Sequence, residues 1–258
     1  MVLLLEKIAG NQKYDKQDAA LIEKAYWAAK TAHDGQKRLS GEEYIIHPLR
    51  AAYFLSELGL DATTVAACLL HDTIEDTHIT AKDIEKEFGK EIAFLVEGVT
   101  KLGKIELEPS AGNSEKENAR HLNSLKKMFL AMAEDIRVIL IKLADRYHNM
   151  ETLRYLPQAD QKRVAAETIE IYAPIAARLG MGHLKGQFED MAFPYIHPAE
   201  YSWLIKQVKT KYTDNLTYIE RTKPLIKRKL QDAGIEIIEM NSRVKHYYSL
   251  YQKLQRRD

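Results

Sequence analysis

The sequence holds one cysteine, Cys68, in 258 residues. An internal disulfide is therefore impossible, and a cysteine-rich zinc cage is excluded. A chain so poor in thiols fits a reducing cytoplasm. An excess of charge is missing too: 38 Lys and Arg stand against 37 Asp and Glu, a net charge of +1. Nothing in that balance calls for nucleic acid or an anionic membrane as partner. Long apolar runs are also absent, none approaching the roughly 20 residues that cross a bilayer. The short patch Val2–Leu5 lacks the basic flank and the length of a secretion signal. What is present is ordinary for a soluble chain, 45% hydrophobic and 29% charged. The length suffices for one large domain, or one domain and a fragment.

The apolar residues recur with a helical period almost throughout. Over 15–32, Ala19, Ile22, Ala25, Tyr26 and Ala29 fall on one face. Pro48 can open a second helix at its first position, which places His47 just before that helix. Asp61 can cap a third helix through 62–75. Thr80 with Asp83 has the form of a capping box, and Gly89 stops the helix that follows. A further helix reaches about Val99. Residues 103–118 cluster Gly, Pro and Ser with charge and read as a loop. Helical periodicity returns over 119–133, 135–155 and 160–179, the last bent or interrupted by Pro174, and a turn follows at Gly180 and Gly182. Residues 199–232 read as a polar helix bent near Pro224. The run 235–240 looks like a strand, and 246–257 reads as a basic, tyrosine-rich helix. The expected organisation is a helical domain over 1–198, then linker helices and the start of a second domain over 199–258.

Chemistry concentrates at His71-Asp72, after the buried-looking run 65–70. Such a pair alone is a weak signal, and His33-Asp34, beside Gly35 at a helix end, reads as structural. At the second pair, Glu75 lies four residues beyond His71 and Asp76 four beyond Asp72, one helical turn from each. Four ionisable groups beside an apolar face need partners or a metal. Asp145 follows the apolar run 138–144, where an aspartate needs either a metal or an ion pair with Arg146 or a neighbour. Asp145, His148, Asn149 and Thr152 share one side of that helix. His47 alone reads as a helix-capping or core histidine, and gains weight only as a possible fourth ligand. Two histidines and two carboxylates suit Mn²⁺ better than a calcium cage or a thiolate zinc site, and leave positions open for water and substrate.

In order along the chain stand QKRLSGE at 36–42, YIIHP at 44–48, HDTIEDT at 71–77, LADRYHNM at 143–150 and IYAPIAARLG at 171–180. With these motifs the sequence resembles the hydrolase half of the RelA/SpoT homologues, which make and degrade ppGpp and pppGpp. The resemblance implies an all-α, HD-type helical bundle, followed by the first strand and helix of a truncated α/β synthetase domain. It implies His47, His71, Asp72 and Asp145 as manganese ligands, Glu75 and Asp76 as the catalytic acid pair, and Arg38, Ser40, Asn149 and Thr152 as nucleotide contacts. The implied reaction removes the 3′-pyrophosphate to leave GDP or GTP. Arg243, Lys245, Ser249 and Lys253 resemble the start of the family's ATP phosphate site. Ribosomal or regulatory partners are expected only through regions beyond this chain. The sequence departs from the family at Leu39, where a basic residue is usual, at Glu43 for proline, at Glu151 for arginine, and at Gly186-Gln187 for Trp-Glu. Two other readings keep parts of this picture: an HD phosphohydrolase for another nucleotide, and a catalytically silent regulatory module.

Overall fold

The computed structural model describes residues 2–106, 130, 131, 133–240 and 246–256, with backbone alone for residues 2, 103–106 and 209–216. Of the loop expected over 103–118, residues 103–106 are helical instead, and 107–118, with most of the helix expected over 119–133, lie outside the described residues, as do Arg243 and Lys245. The chain packs as two compact units, Met1–Gln158 and Ala159–Asp258.

The first unit contains α1 (Val2–Ala9), α2 (Lys16–Ala32), α3 (Ile46–Glu57), α4 (Ala62–Leu70), α5 (Thr73–Asp76), α6 (Ala81–Phe88), α7 (Lys90–Glu106) and α8 (Ile136–Glu151), with a 3₁₀ turn at Leu153–Tyr155. α4 is the centre, packed by α2, α3, α7 and α8. Its residues are apolar on every side, so only a helix enclosed all round could bury them, and all but Thr63 are buried. α2 shows the opposite pattern, a single buried stripe of Ile22, Ala25, Tyr26 and Ala29. Asp15 opens α2 and Thr80 opens α6, each with a reciprocal capping box, and Gly89 closes α6 at φ 89°.

Two further boundaries differ from the sequence reading, and both matter for the site. α3 begins at Ile46, so His47 and Pro48 lie inside its first turn rather than His47 preceding it. Proline has no N–H to donate, and the first turn of a helix does not need one from it, so Pro48 is tolerated there. The helix expected over 62–75 ends at Leu70. His71 and Asp72 occupy the corner between α4 and the short α5, and the Thr73 hydroxyl donates to the Leu70 carbonyl at 2.6 Å. Polar side chains that bond backbone carbonyls compete with helix continuation in this way.

The second unit contains α9 (Gln158–Glu167), a π turn (Thr168–Tyr172), α10 (Ala173–Arg178), α11 (Gly182–Ile196), α12 (Pro198–Asp232) and α13 (Tyr247–Gln255). Its core gathers Phe193, Leu204, Tyr248 and Tyr251. The interruption expected at Pro174 is the wide turn just before it. Proline has no N–H to donate and clashes with the carbonyl four residues back, and a π turn accommodates both. α12 continues through Pro224 as one helix. Residues 235–240 form no strand. Among the described residues the β pairing is a lone bridge between Lys37 and Glu43, and Ile238 is 99% exposed. A strand needs a neighbouring edge to satisfy its N–H and C=O groups, and none lies alongside among the described residues. The helix expected at 246–257 is present as α13. Among the described residues, no helix is long and apolar enough to cross a membrane.

Candidate metal centre

The first unit brings His47, His71, Asp72 and Asp145 together from three places. His47 comes from the first turn of α3, His71 and Asp72 from the α4–α5 corner, and Asp145 from the middle of α8. His47, His71 and Asp145 are buried and Asp72 is partly so. His47, His71 and Asp72 each offer a ligand atom, and these atoms lie within 4.8 Å of one another. Asp145 Oδ1 is 3.1 Å from His47 Nε2 and 3.9 Å from His71 Nε2.

The ring nitrogens fit a cation. His71 Nδ1 lies 2.6 Å from the Cys68 carbonyl, which can only accept, so Nδ1 carries the proton. His71 Nε2 is buried and has no hydrogen-bond partner among the described residues. Asp72 Oδ1 is 3.0 Å from it, a charge contact rather than a directed bond. A buried imidazole whose far nitrogen is fixed by a carbonyl and whose near nitrogen faces carboxylates is a metal ligand in waiting.

Charge follows the same geometry. Burial lowers the pKa of His71, but the carboxylates of Asp72 and Asp145 outweigh it and raise the value to about 9. Burial lowers that of His47, and the negative charges of Asp145 and Asp72 only partly offset it. Burial would raise Asp72 and Asp145, yet His71 and His47 hold Asp72 below the usual carboxylate range, and Lys142 with both histidines holds Asp145 there. Lys142 Nζ donates to Asp145 Oδ2 at 2.9 Å, and Asn149 Nδ2 donates to Oδ1 at 2.6 Å. The ion pair weighed for Asp145 as the alternative to a metal is thus present, with Lys142 rather than Arg146 as partner, and Oδ1 still faces the histidines.

The acid pair sits at the rim. Glu75 and Asp76 are exposed. Burial of part of the Glu75 carboxyl raises its pKa. The Tyr44 hydroxyl lies 2.9 Å from Asp72 Oδ2 and 2.5 Å from Asp76 Oδ2, and so links a ligand to the acid pair. Burial and the two carboxylates push the phenol's pKa far up, so it stays a donor. Tyr44 stacks on the buried ring of His33 at 4.5 Å between centroids, which gives the His33-Asp34 pair the supporting place expected of it.

Arg38 reaches the site from the turn between Lys37 and Glu43, made possible by Gly41 at φ 86°. Its guanidinium contacts His148 Nδ1 at 3.0 Å and donates to Asn149 Oδ1 at 2.6 Å. Ser40 donates to Glu42 at 3.1 Å, and the Thr152 hydroxyl donates into the end of α8. Ser249 and Lys253 lie one turn apart on α13 in the second unit. Sequence reasoning gave no role to Tyr44, Lys142 or His148. A lysine inside an apolar run, three residues before the aspartate, was the available signal for Lys142. His148 stood on the polar side of α8 without a partner to identify it.

The HD domain family matches residues 25–182. Three relatives are similar over nearly the whole chain. A GTP pyrophosphokinase of Myxococcus xanthus is 44% identical over 95% of this chain and 32% of its own. A guanosine-3′,5′-bis(diphosphate) 3′-pyrophosphohydrolase of Aquifex aeolicus is 45% identical over 93% of this chain and 33% of its own. The bifunctional (p)ppGpp synthase/hydrolase SpoT of Escherichia coli is 45% identical over 90% of this chain and 32% of its own. The chain therefore spans 32% to 33% of the length of these relatives. Their names state a synthetic activity, a hydrolytic one and both. The helical fold, the histidine–aspartate corner and the family match agree, and the chain belongs to the HD domain family.

Proposed function

We propose that this chain hydrolyses the 3′-pyrophosphate of ppGpp and pppGpp, giving GDP or GTP and pyrophosphate, with a divalent metal, Mn²⁺, held by His47, His71, Asp72 and Asp145. The observation that carries the reading is the convergence of two buried imidazole nitrogens and two carboxylates in the first unit, with Glu75 and Asp76 at the rim. A mixed nitrogen and oxygen set with few protein ligands suits manganese. When bound, such a cation lowers the pKa of a water and polarises a phosphoryl oxygen.

The residues of this chain divide the remaining work. Glu75, with its raised pKa, takes the proton of the attacking water, and Asp76, steadied by Tyr44, orients it. Arg38 grips the nucleotide with the donors left free by His148 and Asn149, and Ser40, Asn149 and Thr152 are its further contacts in this reading. We take residues 1–198 as the hydrolase domain and 199–258 as linker and start of a second domain. Arg243, Lys245, Ser249 and Lys253 there would hold part of an ATP phosphate site.

Incubation of the protein with ppGpp and Mn²⁺, followed by chromatography, should show GDP and pyrophosphate. Asp72→Asn should lose this turnover with its helical spectrum intact, and chelator should abolish it in the unmodified protein. Full turnover by Asp72→Asn in chelator would overturn the assignment.

A further inference from the structure

His148 Nδ1 faces two nitrogens at once. It lies 3.0 Å from a terminal guanidinium nitrogen of Arg38 and 2.7 Å from His47 Nδ1. A guanidinium has donors and no acceptor, and remains protonated. His148 Nδ1 therefore presents a lone pair to it. The same lone pair faces His47 Nδ1, and a contact of 2.7 Å between two nitrogens is a hydrogen bond only if His47 Nδ1 carries a proton. A neutral imidazole has one N–H. With that proton on Nδ1, His47 Nε2 is bare, 3.1 Å from Asp145 Oδ1 and 3.6 Å from Asp72 Oδ2. The opposite tautomer would set the donor of His148 against the donors of Arg38.

Resting on the metal-hydrolase reading above, we propose that His148 is a positioning residue. Anchored by Arg38, it holds His47 in the tautomer that turns a bare Nε2 toward Asp72 and Asp145 and so toward a divalent cation. The arrangement parallels His71, where the Cys68 carbonyl plays the part of His148. Asn149 completes it. Its Oδ1 accepts from Arg38, which fixes the amide so that Nδ2 donates to Asp145 Oδ1. One guanidinium thus orients a ligand on α3 and a ligand on α8, each through one intervening side chain. Outer partners of metal ligands act in this way, by fixing tautomer and direction.

The test is the affinity of nucleotide-free protein for Mn²⁺, measured by calorimetry on the unmodified chain, His148→Leu and His148→Asn. Leucine removes the acceptor. Asparagine places an oxygen acceptor at the δ position. His148→Leu should bind Mn²⁺ about 10- to 100-fold more weakly, and His148→Asn within about threefold of the unmodified chain. Long-range ¹H–¹⁵N spectra of the chelator-treated, unmodified protein should place the His47 proton on Nδ1. Unchanged affinity in His148→Leu would overturn the proposal. So would equal weakening in both variants, because a merely structural role predicts no rescue by asparagine. A proton found on His47 Nε2 would overturn it whatever the affinities. If the unmodified chain binds no Mn²⁺, the metal-hydrolase reading itself fails, and the proposal falls with it.

Discussion

At the scale of single residues, burial separates the groups proposed to hold a cation from those proposed to handle a proton. His47, His71 and Asp145 are shut away from solvent, whereas Glu75 and Asp76 stand exposed at the rim. Glu75→Gln should therefore keep Mn²⁺, seen by elemental analysis, and lose turnover by about 10²-fold or more. Loss of metal in that variant would make Glu75 a ligand. Leu39 tests the nucleotide side. The narrow turn at 37–43 sends Arg38 to His148 and Asn149 while Leu39 is 70% exposed. Leu39→Lys adds a charge where an anionic nucleotide would approach, and a charged contact at such a place contributes about 1–3 kcal/mol. The expected result is a lower KM for ppGpp with kcat little changed, the gain shrinking as salt rises. An unchanged KM would show that position 39 lies off the nucleotide's path. His71, Asp72, Glu75, Asp76 and Asp145 stood out by residue type and spacing, whereas His47 gained weight only as a possible fourth ligand and through the family resemblance. Tyr44 and His148 did not stand out, because what makes each useful is a partner tens of residues away, and a local pattern carries no distance between elements.

At the scale of elements, helix identity was readable and helix ends were not. The apolar period gave α2 because its buried residues fall on one face, whereas α8 was read from an apolar run that is buried on every side over 141–146. α4 and its neighbour ran together in the sequence because nothing in the composition marks the corner at His71. The break is made by a hydroxyl bonding a carbonyl, visible only once built. The run 235–240 failed as a strand for a different reason: β pattern describes a surface that needs a partner, and no partner edge lies beside it. Gly186 has a local reason for its missing side chain. A Cβ there would overlap the ring of His246. His246 lies 2.8 Å from Asp190 Oδ2, and Asp190 Oδ1 accepts from the Tyr248 backbone N–H at 2.9 Å, so one carboxylate ties down the start of α13. Gly186→Ala should displace that ring and loosen α13. Hydrogen exchange should show faster amides over 247–255 and little change in α4. Equal protection of α13 in variant and unmodified protein would mean that the ring moves aside without consequence.

At the scale of the whole molecule, the buried charges make stability depend on pH and metal together. Folded, metal-free protein keeps a proton on His71 up to about pH 9, whereas an unfolded chain gives it up near 6.5. That contribution is complete below the unfolded value and is lost as pH rises through the folded one. Asp72 and Asp145 behave in the opposite sense: depressed in the fold, they contribute above the ordinary carboxylate range and lose it as pH falls. The Tm of chelator-treated protein should therefore drop between pH 7 and about 9.5. Mn²⁺ should reduce the drop, since a ligating His71 has no proton left to lose. Parallel melts with and without metal across that range check this, and equal slopes would count against His71 as a ligand. The position of the ligands along the chain has a consequence of another kind. They stand at 47, 71, 72 and 145, so a cation gripping them staples the first unit at widely spaced points, as a crosslink would in a polymer network. Such a staple acts largely on the unfolded chain, by forbidding most of its open shapes, and lengthening the enclosed loops deepens the effect only slowly, about 0.6 kcal/mol for each doubling. None of those staple points falls in the second unit, and its unfolded chain keeps all of its freedom whether the cation is there or not.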